Sequence, residues 1–586
     1  MITLPAPAMK TISEEDESDK QYGLPERVGI SVYADVNVIQ DDYLEILPDG
    51  TKSWRVHLSS SGATAIGLYF NDFQLIPGCR VFVYKEDRSI IKGSYTLLNN
   101  KDDRLFAIEL IPGDHIIIEA EADPGINNLP DCKLSEISYM YRPMPGLDNL
   151  RGISDECEVN INCPEGDNWK YQKHGIVRIY IKQGGGYYWC SGSILNNTLQ
   201  NNDPFILTAD HCAPTASEQD LAQWIFYFNY EAPGCENPAQ NPEPVSMTGA
   251  VKLASAGTTG SDFLLVKLNE DIPLSYEPYY NGWSIENLAS PNGVTIHHPQ
   301  GDIKKISTYT TPLVSSQWYG SPGTHWEVLW SPTVTNWGVT EGGSSGAPLY
   351  DNNGRVIGAL TGGQADCEPN GAGTGTGPDQ PDYYGKFSYS WDQNGSAPSQ
   401  QLKYWLDPLN SGVTFLGGKN ASLTAAFQAS STLILTGNKV EYTNLSSGLP
   451  IFWEWKFEGG NPSSYSGPDP GEVIYPKGGL FDVSLVVSDG TEYDTLSLKD
   501  YIHVVGKVFP NPTTGLVNIY LDEELPSDIK LEVFDIMGNQ LIKKEIPDQT
   551  YPLLSVDLTG LCMGVYTIRL EINQRFIFSR VMLIEP

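Results

Sequence analysis

Short runs of β-favouring residues, broken by glycine, asparagine, aspartate or proline, recur along this chain from end to end. Examples are SWRVHLSS near the start, SDFLLVKL in the middle and FDVSLVVSDG further on. Short alternating segments between turn residues are typical of β-sandwiches and β-barrels rather than of helical bundles. The sequence therefore predicts an all-β protein.

The chain is too long for a single core. It has 586 residues, and one hydrophobic core rarely grows beyond about 250 to 300 residues. Four segments are expected: 1–151, which opens with the acidic stretch TISEEDESDK; 152–420, which holds most of the cysteines; and two shorter β segments, 421–506 and 507–586.

Cysteine positions indicate the compartment. Six of the nine cysteines lie between Cys157 and Cys367, without the repeated C-x-x-C spacing of a zinc site. They predict three disulfides and an oxidising environment. The start, MITLPAPAMK, has no basic residue ahead of its short apolar run and is a poor signal peptide, so we expect a signal to have been removed or to lie upstream.

Charge and hydropathy exclude two classes of partner. The formal net charge is −35, which repels phosphates and argues against nucleic-acid binding. No apolar run approaches the roughly 20 residues that span a bilayer, so no transmembrane segment is expected. A solvated extracellular protein fits this composition.

Three stretches supply the groups that acyl transfer needs. ILTADHC carries His211 after an apolar run, GTTGSDFLLVKL places Asp262 at the start of an apolar strand, and TEGGSSGAPLY presents Ser345 in a glycine-rich turn. A nucleophile, a base and a carboxylate that orients the base form a catalytic triad. Glycines in the turn allow the amides of Gly343 and Ser345 to form an oxyanion hole.

Two other histidines invite a metal hypothesis. His297 and His298 are adjacent in IHHPQGD, and neighbouring strand residues point to opposite faces, so they cannot easily chelate one ion. A structural turn is the better interpretation. We expect no metal or organic cofactor.

The order His, Asp, Ser and the local sequences TADHC and GSSGAP resemble the chymotrypsin-like double β-barrel proteases. GISDECEVNINCPEGDNW, IHHPQGDIKKIS, WGVTEGGSSGAPLYDNNGRVIG and YWLDPLNSG narrow the resemblance to the bacterial lysyl endopeptidases, over essentially 152–417. That family's prosegment resembles WRVHLSSSGATAIGLYFNDFQLIPGCRVFVY. The resemblance implies activation by a cut between Arg151 and Gly152. It also implies the disulfides Cys157–Cys367, Cys163–Cys235 and Cys190–Cys212.

Specificity is the open question. Six positions before the serine, where trypsin has its acid, stands Val339, which by itself would predict an apolar pocket. The lysyl endopeptidases take their acid from a D-x-Y-G stretch, which here is DYYGKF and gives Asp382. An aspartate in a closed pocket favours a cationic side chain.

Two further pocket positions follow from the resemblance. The family's pocket-side tryptophan corresponds to Trp318, whereas the histidine of its LHGG stretch is replaced by Thr361. Ammonium and guanidinium differ in size and donor geometry, so the changed residue leaves open whether the enzyme selects lysine strictly or accepts both lysine and arginine.

Activation must differ from that of trypsin, whose new N-terminus pairs with an aspartate directly before the serine. Here that position is Ser344. We therefore expect the prosegment to inhibit by covering the cleft, or to assist folding.

The two C-terminal segments resemble known modules. WEWKFEGG in 421–506 is similar to the characteristic run of PKD domains, which are immunoglobulin-like sandwiches, and Trp453 and Trp455 are expected to pack in its core. VFPNPTTGLVNIYL, VFDIMGNQL and LTGLCMGVYTIRL make 507–586 similar to the C-terminal sorting domain of type IX (Por) secretion. Cys562 is expected to be a buried apolar residue.

The sequence thus predicts a secreted serine endopeptidase, with peptides or proteins as substrates and the type IX secretion machinery as a partner. Lysine is the expected residue before the cleaved bond. Three alternatives remain: cleavage after both lysine and arginine, an apolar pocket governed by Val339, and a non-catalytic surface adhesin on a protease scaffold.

Overall fold

The computed structural model describes residues 1–21, 25–126, 128–143, 154–238, 242–368, 376–446, 448, 450–490, 493–521, 529–546, 553–572 and 575–585. The chain divides into two compact units, Met1–Ala421 and Ser422–Pro586. Both are built from β-sheets, as predicted. Among the described residues, no helix is long and apolar enough to cross a membrane. The predicted cut at Arg151–Gly152 lies outside the described residues.

The described residues up to position 143 form ten strands and one α-helix. Their bounds are β1 Ile2–Thr3, α1 Met9–Gln21, β2 Arg27–Asn37, β3 Leu44–Ile46, β4 Lys52–Ser59, β5 Ala65–Gln74, β6 Cys79–Tyr84, β7 Ile91–Tyr95, β8 Phe106–Pro112, β9 His115–Ala122 and β10 Asp131–Met140. A six-stranded sheet, β1-β4-β9-β6-β7 with β3 beside β4, packs on β2, β10 and β5 around a core that includes Trp54, Leu68 and Phe70.

The rest of the first unit holds nineteen strands and three short α-helices among the residues described. They are β11 Val159–Asn160, β12 Ile176–Gln183, β13 Gly186–Leu195, β14 Phe205–Ala209, α2 Glu218–Leu221, β15 Ile225–Phe228, β16 Val245–Thr248, β17 Ala250–Ala256, β18 Phe263–Leu268, β19 Tyr279–Tyr280, β20 Trp283–Ser284, β21 Gly293–His297, β22 Lys305–Tyr309, β23 Val314–Ser316, β24 His325–Val328, β25 Pro348–Tyr350, β26 Val356–Gly363, β27 Asp382–Lys386, α3 Phe387–Asp392, α4 Lys403–Leu406, β28 Phe415–Leu416 and β29 Lys419–Asn420.

Two large sheets build this second part, in keeping with the predicted double barrel, and β19 and β29 form a further two-stranded sheet among the residues described. One has β12–β18 paired through β13 and β14, and the other runs β11-β22-β21-β25-β26-β27-β24-β23 with β20 and β28 attached. A shared apolar cluster, which includes Leu207, Leu265 and Trp283, lies between them. Three disulfides, Cys157–Cys367, Cys163–Cys235 and Cys190–Cys212, agree with the pairing that the family resemblance implies.

The N-terminal segment shares a sheet with this part of the chain. Strand β2 pairs antiparallel with β13, with Tyr187 opposite Gly29 and Tyr188 opposite Arg27. The result is one eleven-stranded sheet that continues from β16 through β13 and β2 to β8. Aromatic side chains from both segments, including Tyr69, Tyr180 and Tyr187, form one buried cluster across the junction.

The second unit contains four small sheets among the residues described. Its strands are β30 Phe427–Ala429, β31 Leu433–Ile434, β32 Lys439–Asn444, β33 Phe452–Phe457, β34 Ser464–Ser466, β35 Glu472–Ile474, β36 Gly479–Ser488, β37 Tyr493–Val504, β38 Lys507–Phe509, β39 Leu516–Tyr520, β40 Ile529–Phe534, β41 Gln540–Ile546, β42 Leu553–Asp557, β43 Gly564–Ile572 and β44 Arg575–Leu583.

Residues before about 506 in this unit place a three-stranded sheet, β30-β32-β35, beside a five-stranded one, β31-β37-β36-β33-β34. Trp455 is fully buried in their core, with Trp453 half-buried against it. The remaining strands form β38-β39-β42 and β41-β40-β43-β44 around a separate core. The expectation of a buried Cys562 is wrong: the residue is exposed, because it lies in the turn that leads into β43.

Candidate active site

The ends of two paired strands bring His211 and Asp262 together. Strand β14 pairs with β18 so that Ala209 lies opposite Phe263. His211 follows β14 in a single 3₁₀ turn, and Asp262 directly precedes β18. Two residues that are 51 positions apart along the chain therefore meet at one corner of the sheet.

Asp262 contacts His211 through both of its carboxylate oxygens. Its Oδ1 accepts a hydrogen bond from the His211 backbone N–H at 3.0 Å, and its Oδ2 lies 2.6 Å from His211 Nδ1. The carboxylate is fully buried, whereas 18% of the His211 side chain remains exposed. A buried carboxylate at Nδ1 fixes the tautomer that leaves Nε2 as the acceptor.

Ser345 completes the arrangement from the other sheet. His211 Nε2 lies 2.8 Å from Ser345 Oγ. The serine stands in the turn before β25, and its carbonyl accepts a hydrogen bond from the Ser191 N–H at 2.9 Å. Ser191 follows Cys190, whose disulfide with Cys212 ties β13 to the residue after His211. The structure thus brings the three predicted residues into one continuous hydrogen-bonded line.

Two opposing effects set the pKa of His211. Burial lowers the pKa of His211, but the charge of Asp262 and the hydrogen bond to it outweigh burial and leave that pKa raised. A base whose conjugate acid is stabilised by a fixed carboxylate is suited to accept a hydroxyl proton.

Hydrogen bonds from Gln300 and Ser191 fix the glycine turn before Ser345. The Gly342 carbonyl accepts from Gln300 N–H at 2.5 Å, and the Gly343 carbonyl accepts from Ser191 Oγ at 3.0 Å. Because C=O and N–H point in opposite directions across a trans peptide, the Gly343 N–H is directed away from Gln300. In the part of the chain that the structure describes, neither Gly343 nor Ser345 donates its backbone N–H to another group.

Two positions in this turn require glycine. Gly343 has φ +89° and Gly346 has φ +81°, a region that other residues seldom adopt. A Cβ on Gly346 would lie 2.1 Å from Thr208 Oγ1, so even a strained alanine would not fit. Together these constraints leave two free amides beside the serine, as an oxyanion hole demands.

Asp382 is the first residue of β27 and is almost wholly buried, at 1% exposure. Its Oδ2 accepts from Trp330 Nε1 at 2.7 Å and from Thr340 Oγ1 at 2.8 Å, and its Oδ1 accepts from the Ala365 N–H at 3.2 Å. Burial raises the pKa of Asp382 to about 6, although these three hydrogen bonds oppose that shift. The residue is therefore not a solvated loop aspartate.

The end of β26 links the other predicted pocket residues to Asp382. Thr361 bonds through Oγ1 to His325 Nε2 at 3.1 Å. Gly362 lies under Trp318, whose ring would be 3.6 Å from an added Cβ, and Gly363 is paired with Asp382. The Gly346 N–H donates to the Leu360 carbonyl, so β26 is directly bonded to the turn that carries Ser345.

Val339, the position that by itself predicts an apolar pocket, packs among other apolar side chains. Its side chain is fully buried in a cluster with Trp326, Leu360 and Tyr384. The two adjacent histidines are also fully buried: His297 Nδ1 lies 2.7 Å from Ser344 Oγ, and His298 Nδ1 lies 2.8 Å from the Asp302 carbonyl. Both have structural partners in the turn behind the glycines.

Sequence reasoning missed several residues that shape this site. Trp330 and Thr340 hold Asp382, His325 bonds Thr361, and Ser191 and Gln300 fix the glycine turn. Thr340 directly follows Val339, which stands where trypsin has its acid. That position in the sequence is therefore one residue away from a residue that bonds Asp382. The others lie far away along the chain and carry no local signal.

Comparison with known proteins agrees with this geometry. Residues 151–385 match the family described as lysyl endopeptidase, C-terminal domain, and residues 507–585 match the secretion system C-terminal sorting domain. A lysyl endopeptidase from Pseudomonas aeruginosa is 26% identical over 414 residues, which cover 66% of this chain and 84% of that protein.

Two solved structures are similar at low scores. The protease Anisep from Arthrobacter nicotinovorans is 17% identical, with a TM-score of 0.26 over 36% of this chain and 90% of that one. The serine endoprotease from Yersinia pestis is 12% identical, with a TM-score of 0.25 over 57% and 96%. Likeness at this level carries no argument. The matches to the lysyl endopeptidase domain and to the sorting domain support a secreted serine protease, extracellular or on the cell surface.

Proposed function

We propose that this chain is a secreted serine endopeptidase that cleaves peptide bonds after lysine. The observation that carries the proposal is the unbroken line Asp262–His211–Ser345, with contacts of 2.6 and 2.8 Å. Relays with these three side chains and this geometry perform acyl transfer.

The reaction begins at Ser345. Its Oγ attacks the scissile carbonyl carbon while His211 Nε2 takes the hydroxyl proton. The carbonyl oxygen becomes an oxyanion, which accepts hydrogen bonds from the amides of Gly343 and Ser345. His211 then gives its proton to the departing amine, and an acyl-enzyme remains. Water, deprotonated by His211, hydrolyses that ester and restores the serine.

The hydrogen bonds already made by Asp382 favour lysine over arginine. A carboxylate offers about four acceptor positions, and Trp330, Thr340 and the Ala365 N–H take three of them. One position on Oδ1 suffices for an ammonium point charge. A guanidinium fork binds best with two parallel hydrogen bonds, for which this carboxylate has no free edge.

Digestion of a denatured protein of known sequence tests this proposal. Mass spectrometry of the products should show cuts overwhelmingly after lysine. Comparable cutting after arginine would support the trypsin-like alternative, and cutting after apolar residues would support a pocket governed by Val339. A chain that neither cuts nor reacts with a fluorophosphonate would be the adhesin.

The raised pKa of Asp382 predicts the pH dependence of lysine recognition. Below about pH 6 its carboxyl is protonated and neutral, and above about pH 6 it is a carboxylate that attracts ammonium. For a lysyl ester, kcat/KM should therefore rise with pH through about 6, over and above the ionisation of His211. In Asp382→Asn that extra rise should be absent, so identical pH profiles of the two proteins would contradict the assignment.

We also propose that the prosegment inhibits the uncut chain. Strand β2 occupies the edge of β13 at Tyr187 and Tyr188, three to four residues before Ser191. The Glu26 carboxylate lies close to Gly342, 3.6 Å from where its Cβ would be. An extended peptide that approached Ser345 along this edge would have to displace β2.

Blocking the processing site tests that inhibition. Arg151→Gln should leave the chain uncut, and the precursor should hydrolyse peptides more slowly than the processed enzyme. It should still react with a small fluorophosphonate, because the contacts that join Asp262, His211 and Ser345 are present in the uncut chain. Peptide hydrolysis by the uncut variant at the processed rate would refute inhibition.

A further inference from the structure

Arg178 is a buried cation that the proposed reaction does not use. It lies in β12 and is only 1% exposed. Three aromatic rings enclose its guanidinium, with distances to the ring centres of 4.4 Å for Trp189, 4.3 Å for Tyr227 and 4.0 Å for Tyr230. Among the described residues its Nε has no hydrogen-bond partner, and its Nη1 donates to a backbone carbonyl rather than to a carboxylate. Burial of an unpaired cation is costly, so its single polar contact is informative.

That contact is with the turn behind the oxyanion hole. Arg178 Nη1 donates to the Gly301 carbonyl at 2.7 Å. The residue before Gly301 is Gln300, whose N–H donates to the Gly342 carbonyl at 2.5 Å. Arg178 is thus two hydrogen bonds away from the peptide that carries the Gly343 N–H.

A second route joins the same turn to the glycines. The His298 N–H donates to Ser191 Oγ at 3.0 Å, and Ser191 Oγ donates to the Gly343 carbonyl at 3.0 Å. The turn itself is tightly bent, with φ of +53° at Gln300 and +69° at Gly301. A Cβ on Gly301 would lie 2.6 Å from the Trp189 ring, which is also a wall of the arginine cage.

We propose that Arg178 is a positioning residue for the oxyanion hole: its caged guanidinium holds the Gly301 carbonyl, so that residues 298–302 keep the Gly342 and Gly343 carbonyls turned away from the hole. The proposal rests on the proposed function. In trypsin an ion pair between the new N-terminus and the aspartate before the serine supports this region. Ser344 stands at that position here and cannot form the pair, and we assign the supporting role to Arg178.

Arginine suits this place better than lysine. A planar guanidinium can stack on aromatic faces and donate in its own plane at the same time. A lysine ammonium could not fill the three-ring cage and also reach Gly301 with the same geometry. The lysine variant should therefore keep the charge and lose part of the positioning.

The experiment compares Arg178→Met and Arg178→Lys with the processed wild-type enzyme. Arg355→Met is the matched control, because Arg355 also stacks on a ring, 3.8 Å from the centre of Phe415, and bonds nothing in the glycine turn. A fluorophosphonate counts the active sites. For each variant we would measure kcat and KM for a lysyl amide and Ki for a peptide aldehyde, which places an oxyanion in the hole.

Arg178→Met should lose about 10²-fold in kcat per titrated site, the order found for one oxyanion donor. KM should stay within a few fold, aldehyde affinity should fall in step with kcat/KM, and Arg178→Lys should lie in between. Unchanged kcat per titrated site, or a rise in KM alone, would overturn the proposal. If Arg178→Met does not fold, Tyr230→Leu should show the same pattern more weakly, and an unchanged kcat in that variant would overturn it. Failure of the wild type and Arg355→Met to hydrolyse or label would refute the proposed function instead.

Discussion

Replacing Ser345 by alanine should reduce turnover of a lysyl amide by about 10⁶-fold. The hydroxyl is the nucleophile of the proposed reaction, and its loss leaves His211 with nothing to activate. Knock-outs of the nucleophile in serine proteases have effects of this order, with the residual rate supplied by binding and the oxyanion hole.

The measurement is kcat with a chromogenic lysyl substrate, together with fluorophosphonate labelling. Ser399→Ala is the control, since Ser399 is an exposed serine of the same domain, far along the chain from the triad. It should match the wild type in both assays. Retention of more than about 1% of the activity by Ser345→Ala would mean that another group attacks the substrate.

Asp382→Asn should lower kcat/KM for lysyl substrates by about 10² to 10⁴-fold. The bound ammonium would lose a buried counter-charge, and removal of one partner of a buried ion pair costs about 3 to 5 kcal/mol. Asparagine keeps the size of the side chain but sets an amide against the donors Trp330 and Thr340.

The neighbouring exposed Asp379 offers the matched control, because Asp379→Asn makes the same change in charge nearby. It should retain normal kinetics. A lysine preference that survives in Asp382→Asn, or that is lost in Asp379→Asn, would place the specificity acid elsewhere. Labelling by fluorophosphonate should persist in both variants, since neither residue touches Ser345.

The fold class could be predicted because it depends on a local signal. Strands that bury one face alternate apolar and polar residues wherever they lie in the chain, and turn residues mark their ends. The sequences around His211, Asp262 and Ser345 carried a comparable signal, and the structure brings these residues together as expected. Cys562 was misjudged because a turn at a strand start exposes whatever residue it contains.

The residues that support Asp382 and the glycine turn could not be predicted from the sequence. Trp330 follows β24 and Arg178 lies in β12, in stretches that read as ordinary core. Their polar atoms matter only through partners far away along the chain, Asp382 and Gly301. Ser191 and Gln300 act on the glycine turn over separations of 152 and 42 residues along the chain. Alternation and motifs describe neighbours in sequence, whereas these contacts are fixed by how the two sheets meet.

The pairing of β2 with β13 has a consequence for the processed enzyme. Once the N-terminal segment departs, residues 186–188 become an open β-edge three residues before Ser191, whose N–H bonds the Ser345 carbonyl. Such an edge accepts any extended backbone by main-chain hydrogen bonds, irrespective of side chains. The enzyme should then bind substrate residues after the cleaved bond with little regard to their side chains. Sequences of the digestion products should therefore show no amino-acid preference at those positions. A pronounced amino-acid preference after the cleaved bond would show that the substrate does not bind along this edge of β13.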